Sequence, residues 1–249
     1  MLDIIWQSFL VSLVGGLLSL DRTAVLQIMV SRPIITGPII GYILGDVKTG
    51  LLIGGMLELL FVGGLPIGGH IPPHEVMIAV LVTTITIIGQ RLLYGIGFDR
   101  FPWRFADSDI IFVLGAAILM ISPMDAACKK ADTSARFFNR RFFNTASAEL
   151  GNGNIKGVIV NNLKGAGVFF LLNFATLLVL SLAGVGVVYL SFLFLPVAVI
   201  MSLPLACASV LIIGLASAYN TSYDNRSLPI FLAAALFVLM IITVGVGRW

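Results

Sequence analysis

The sequence is poor in charge, cysteine and histidine, and each shortage closes off a class of function. Fifteen Lys or Arg and twelve Asp or Glu residues make up 11% of 249 positions, where a soluble globular domain carries about 25%. An ordinary water-soluble domain is thereby excluded. The two cysteines, Cys128 and Cys207, stand far apart with no CxxC spacing, which reads as two unpaired thiols rather than a disulfide framework or a metal site. There is no GxxxxGK phosphate loop, no nucleotide fingerprint and no Ser/His/Asp signature. An independent kinase therefore finds no support, and no catalytic residue, metal or cofactor is expected of this chain.

What is abundant is apolar sequence: 59% hydrophobic residues and a mean hydropathy of +1.06. A spanning helix needs about 20 mostly apolar residues, and candidates lie at 2–20, 23–44, 50–68, 76–89, 110–122, 167–189, 191–216 and 228–246. The first lacks a basic leader and a small-residue cleavage site and reads as a retained span. The later candidates read as simple hydrophobic spans. Those before residue 122 are short, broken by Gly and Pro, and carry ionisable groups, the pattern of discontinuous segments that line a transport path. The expected fold is an all-α integral membrane protein, a polytopic helical bundle with Gly/Pro-broken or re-entrant segments in its N-terminal half. Three regions are expected: a transport half over 1–122, a basic amphipathic segment over 123–165, and long hydrophobic helices over 166–249.

Within the polar stretch 123–164, seven basic residues oppose three acidic ones, a net +4, which predicts a cytoplasmic location by the positive-inside rule. Basic residues alternate there with Phe137, Phe138, Phe142 and Phe143, consistent with an amphipathic helix on anionic lipid or a docking surface for a soluble partner. Nucleic acid is not an expected partner. The loop 97–109 has three carboxylates against two arginines around Trp103, and its charge assigns it to neither face.

The segment 31–75 is as apolar as a span yet holds Arg32, Asp46, Lys48, Glu58 and many glycines. A charge at the bilayer centre costs roughly 2.5–3.5 kcal/mol on insertion scales, so it faces a cavity, a bundle interior or a partner. Glu58 has no opposite charge within nine residues; it hydrogen-bonds a polyol, relays a proton, or locks two helices. Asp46 and Lys48 read as a capped turn between two apolar segments, with Gly45 and Gly50 supplying backbone freedom. Arg32 precedes Pro33, which removes a backbone donor and kinks the segment, exposing carbonyls for a cation. Asp21 and Arg22 read as an interfacial pair. Gln27, in an otherwise apolar run from Thr23, either faces the pathway or bonds a neighbouring helix. The segment GGLPIGGHIPPHE is too rich in Gly and Pro for a helix. Its His70, His74 and Glu75 suggest zinc spacing only superficially, because Pro72 and Pro73 prevent the helix that would align two imidazoles, and a loop lining a cavity is the better reading.

The ordered run RPIITGPIIGYILGDVKTGLLIGGMLELLFVGGLPIGGHIPPHE resembles the IIC subunit of the mannose/fructose/sorbose family of the phosphoenolpyruvate-dependent sugar phosphotransferase system. The resemblance implies a sugar permease subunit of the bacterial inner membrane that pairs with a membrane subunit, IID, as a trimer of IIC–IID pairs. Soluble IIA and IIB phosphocarriers would serve it, with the transfer chemistry on IIB. It also implies that Glu58 and the 63–75 turn, with Pro66, His70, His74 and Glu75, lie in the sugar-binding region, with Asp21 near the entrance. Arg32, Pro33, Asp46 and Lys48 fall in the signature segment. Mannose-type members commonly carry Asn and Asp where this chain has Pro66 and His74, which leaves the sugar open, with Glu75 one step on as a substitute carboxylate. The alternatives are a membrane scaffold with a degenerate sugar site and a free-standing secondary transporter.

Overall fold

The computed structural model describes residues 2–23, 27–62, 72–95 and 110–221. Those residues form α1 (Leu2–Thr23), α2 (Pro33–Leu44), α3 (Val47–Phe61), α4 (Glu75–Gly95), α5 (Ile110–Leu119), α6 (Ile121–Gly151), α7 (Ile155–Phe194), α8 (Val197–Ser202) and α9 (Pro204–Thr221). The expected span 228–246, the loop 97–109, Pro66 and His70 lie outside the described residues.

The hub is α4. Every residue from Val76 to Gly89 is buried, because the run VMIAVLVTTITIIG carries no charge and only three threonines break its apolar surface, and such a helix belongs in the interior. Around it pack α1, α2, α3, α5, α6 and α7.

The expected span 23–44 is broken. Helix α1 stops at Thr23, and residues 27–32 form a non-helical strap before α2 begins. Gln27 and Met29 adopt φ of 53° and 66°, a region uncommon for side-chain-bearing residues. The Asp21 carboxylate holds the strap, accepting the Ile28 N–H at 2.8 Å and the Ser31 N–H at 3.1 Å. Asp21 therefore does not pair with Arg22, whose guanidinium donates to the Pro72 carbonyl at 3.4 Å. Pro33 does not kink a helix; it opens one, with Arg32 extended before it.

Helices α2 and α3 have 12 and 15 residues, about 18 and 22 Å at 1.5 Å per residue, so neither crosses a hydrocarbon core about 30 Å thick. They form a tight helical hairpin. Gly45 closes α2 with φ 77°, and Asp46 N–H reaches back to Gly41 O at 2.7 Å, a left-handed glycine cap. Asp46 then caps α3 through the Thr49 N–H at 3.1 Å. The two helices touch along Gly37, Gly41, Gly50 and Gly54, where an added Cβ would meet the opposite backbone. Such a four-residue glycine spacing lets two helices approach closely in a membrane.

Among the described residues, four helices are long and apolar enough to cross a membrane, or five if α5 and α6, bent by 52°, count as one. Two later segments differ from expectation. Helix α7 starts at Ile155 rather than near 167 and runs unbroken for 40 residues, about 60 Å. The segment 191–216 has shifted bounds: residues 191–194 end α7, Leu195 and Pro196 are extended, and 197–217, with a new helix opening at Pro204, is one of those candidate spans; proline removes a helical donor at each point. The basic stretch is α6 plus the first turns of α7, joined at 152–154 and tied by Asn139 Nδ2 donating to Gly165 O at 3.0 Å. Met124, Cys128, Ala131 and Ala135 form the buried stripe of α6, while Phe137, Phe138 and Phe143 are exposed.

Candidate functional site

The open end of the hairpin, the end of α1 and the start of α4 converge on one cluster of charge. Arg32 joins two carboxylates from different elements: its Nε donates to Glu58 Oε1 at 2.8 Å and its Nη1 to Glu75 Oε2 at 3.1 Å. A second guanidinium nitrogen closes on Glu58 Oε1. Glu58 Oε2 also accepts the Ile34 N–H at 3.3 Å, satisfying an orphan donor in the first turn of α2. Glu58 thus has its counter-charge 26 residues upstream and locks α3 to the start of α2, while Arg32 carries that lock on to α4. Its cation meets these acids and not the carbonyls freed by a kink.

Beside this triad opens a cleft of about 440 Å³ lined by the strap, by Asp21, Arg22, Arg32 and by Pro72, Glu75 and Val76 at the start of α4. The strap contributes Gln27, Met29 and Ser31. The arrangement offers carboxylates that accept and amide, guanidinium and hydroxyl groups that donate, which suits a neutral polyhydroxylated ligand.

Four expected site residues, Asp21, Gln27, Arg32 and Glu75, line this cleft together. Glu58 stands one residue behind, bonded to Arg32. His74 does not line it. Only 3% exposed, it packs against α6, where its backbone N–H donates to Asp125 Oδ1 at 2.9 Å. Burial, with the Arg22 cation adding to it, pushes the imidazole down to a pKa of about 4, against the opposing pull of Asp132 and Asp125. Asp46 and Lys48 sit at the hairpin's closed end, twelve and ten residues before Glu58, about 18 and 15 Å away along α3. Arg91 reaches that end from α4 and donates to the Leu44 carbonyl. Among the described residues no three His, Cys, Asp or Glu side chains are grouped to hold a metal ion. Met29 and Ser31 were not legible as cleft residues, since the strap that presents them is invisible to hydropathy, and Arg22, near the end of α1, read instead as half of an interfacial pair.

The family described as the PTS system sorbose-specific IIC component matches residues 5–246. Among curated proteins, the N-acetylgalactosamine permease IIC component 1 of Escherichia coli (strain K12) is 37% identical over 108 residues, 42% of this chain and 39% of that protein. The PTS system sorbose-specific EIIC component of Klebsiella pneumoniae is 33% identical over 107 residues, 43% of this chain and 39% of that protein. The PTS system mannose-specific EIIC component of E. coli (strain K12) is 27% identical over 127 residues, 51% and 40% respectively. The matched stretches span about two-fifths of these relatives. A solved structure described as a mannose transporter ManYZ and microcin E492 complex has the same fold, with a TM-score of 0.56 at 21% identity, covering 100% of this chain and 96% of that one. A second, described as a membrane protein, gives 0.68 at 22% identity, covering 100% and 94%.

Proposed function

The chain belongs to the family of sorbose-specific IIC components of the PTS, and we propose that it is the sugar-conducting subunit of such a system in a bacterial cytoplasmic membrane. It carries a hexose-type sugar through the cleft at the open end of the hairpin and releases it toward a soluble IIB protein that phosphorylates it. A IID membrane subunit completes the unit, three such pairs forming the assembly, and IIA recharges IIB.

The observation that carries the reading is the convergence of Asp21, Gln27, Arg32 and Glu75 on one cleft at the mouth of a helical hairpin. Irregular backbone persists in a membrane protein where it lines a cavity, and the strap lines this cleft. Glu75 engages Arg32 through one carboxylate oxygen, leaving the other to accept from a sugar hydroxyl. Gln27 adds an amide able to donate and accept.

Uptake of labelled sugars, in cells carrying the partner subunits, tests this. The panel includes mannose, sorbose and N-acetylgalactosamine, the sugars in the names of its relatives. Phosphorylated product should accumulate for at least one sugar, and Glu75→Gln or Gln27→Ala should lower uptake about tenfold, the consequence of leaving a buried hydroxyl unpaired. Unchanged uptake in both variants would move the sugar path elsewhere; uptake that needs a proton gradient and yields no phosphorylated sugar would favour a free-standing secondary transporter.

A further inference from the structure

A second cavity, of about 610 Å³, opens where the end of α1 meets the α6–α7 hairpin. It is lined by Arg22, Arg136, Asn139, Arg140, Phe143 and Phe169. Three of the six are arginines and none is acidic. Arg136 is partly neutralised by Asp132, at 3.2 Å one turn back on α6. Arg22 forms no ion pair among the described residues, and its Nη1 is buried without a hydrogen-bond partner there, although a guanidinium presents five donors that favour bidentate oxyanions. Asn139 spans the same space, fixed by its bond to Gly165 O.

The position of the cavity along α7 is informative. Residues 155–164 carry Lys156 and Lys164, and from Gly165 onward the helix is uncharged and mostly apolar through Phe194. Phe169 lies just past that change, and Phe143, 71% exposed, flanks it from α6. Basic groups on one side and aromatic rings on the other mark the headgroup level of a bilayer, where guanidinium and ring each meet their preferred surroundings.

We propose that this cavity binds a phosphate group, held by Arg22 and Arg140 with Asn139 beside them, and that its resident source is the headgroup of an anionic phospholipid with its upper chain against Phe143 and Phe169. A phosphate ester in solution shares the recognised chemistry and is the other source. Arg22 also lines the polyol cleft, so occupancy of one cavity changes the surroundings of the other.

The test is binding to the purified full chain in a neutral detergent, read by thermal unfolding and native mass spectrometry. The probes are phosphatidylglycerol, phosphatidylcholine, inorganic phosphate and glucose 6-phosphate. Phosphatidylglycerol should bind and raise the Tm, phosphatidylcholine should not, and Arg140→Gln should weaken binding about tenfold, as loss of a charge-assisted hydrogen bond does. Arg22→Gln should do the same. Arg141→Gln removes an equal charge from the neighbouring exposed position outside the cavity and should leave affinity unchanged. Competition by inorganic phosphate or glucose 6-phosphate would keep the site and assign it to a soluble ester. Equal weakening by Arg140→Gln and Arg141→Gln would overturn the site in favour of diffuse surface attraction, and so would failure of every probe to bind. Sugar uptake is not the readout, so the outcome stands whether or not the chain carries sugar.

Discussion

Arg32 serves two acids at once, and removing it is a different event from removing either partner. Arg32→Gln leaves Glu58 and Glu75 facing each other without the cation between them, whereas Glu58→Gln leaves one ion pair intact. Hydrogen bonds to charged groups contribute about 1.5–3 kcal/mol each, so Glu58→Gln should cost about 2 kcal/mol and Arg32→Gln more. Adding Glu75→Gln to Arg32→Gln should recover part of the loss. Thermal unfolding of the purified variants reads this order; a double variant no more stable than the single would remove the coupling. His74 gives a second prediction at the same scale. Its folded pKa of about 4 lies below the ordinary 6.5, so between those values the unfolded chain binds a proton that the folded chain refuses. Stability then rises with pH, is complete above about 6.5, and falls as the pH drops toward 4, by about 3 kcal/mol at most. The acid-induced fall in Tm should therefore be smaller in His74→Gln; equal falls in both proteins would assign the acid sensitivity to other groups. Neither relation was legible in the sequence, because Arg32 is 26 and 43 residues from its partners and the neighbour of His74 is Asp125, on α6.

At the scale of elements, the hairpin depends on glycine more than on propensity. An added Cβ at Gly37 would strike the Gly50 carbonyl and one at Gly54 would lie 2.5 Å from Pro33 O, but one at Gly55 would meet nothing within 4 Å. Gly54→Ala should therefore destabilise by about 1–3 kcal/mol, the usual cost of overpacking. Gly55→Ala, one residue on, should be neutral or stabilising by up to about 1 kcal/mol, since alanine favours helix. Similar unfolding midpoints for the two variants would contradict the close approach of α2 and α3. This hairpin was largely readable: Gly45 and Asp46 announced the turn, and Asp46 does cap the helix that follows. The strap was not. Nothing between Thr23 and Ser31 is Gly or Pro, and what interrupts the helix is a tertiary event, the Asp21 carboxylate capturing two backbone amides. The later break at Pro196 and Pro204 was written in the sequence, but the strength of the surrounding hydropathy concealed it.

For the molecule as a whole, the asymmetry of charge and the lengths of α6 and α7 act together. Helix α7 is about twice as long as a bilayer core is thick, so about half of it, with α6 beside it, extends beyond or along the membrane surface. The basic residues concentrate in that part, and Arg22, at the end of α1, lines both cavities. Positive residues stay on the cytoplasmic side. The expected orientation therefore has both the strap-lined cleft and the arginine cavity on the cytoplasmic side. Asn152, exposed in the turn between α6 and α7, reports that orientation. Cys128 and Cys207 are both buried, so Asn152→Cys introduces the one readily accessible thiol among the described residues. A membrane-impermeant maleimide should label this variant in inside-out vesicles and not in intact cells. Labelling in intact cells would reverse the orientation, placing both cavities outside and removing the geometric basis for handing sugar to a cytoplasmic partner.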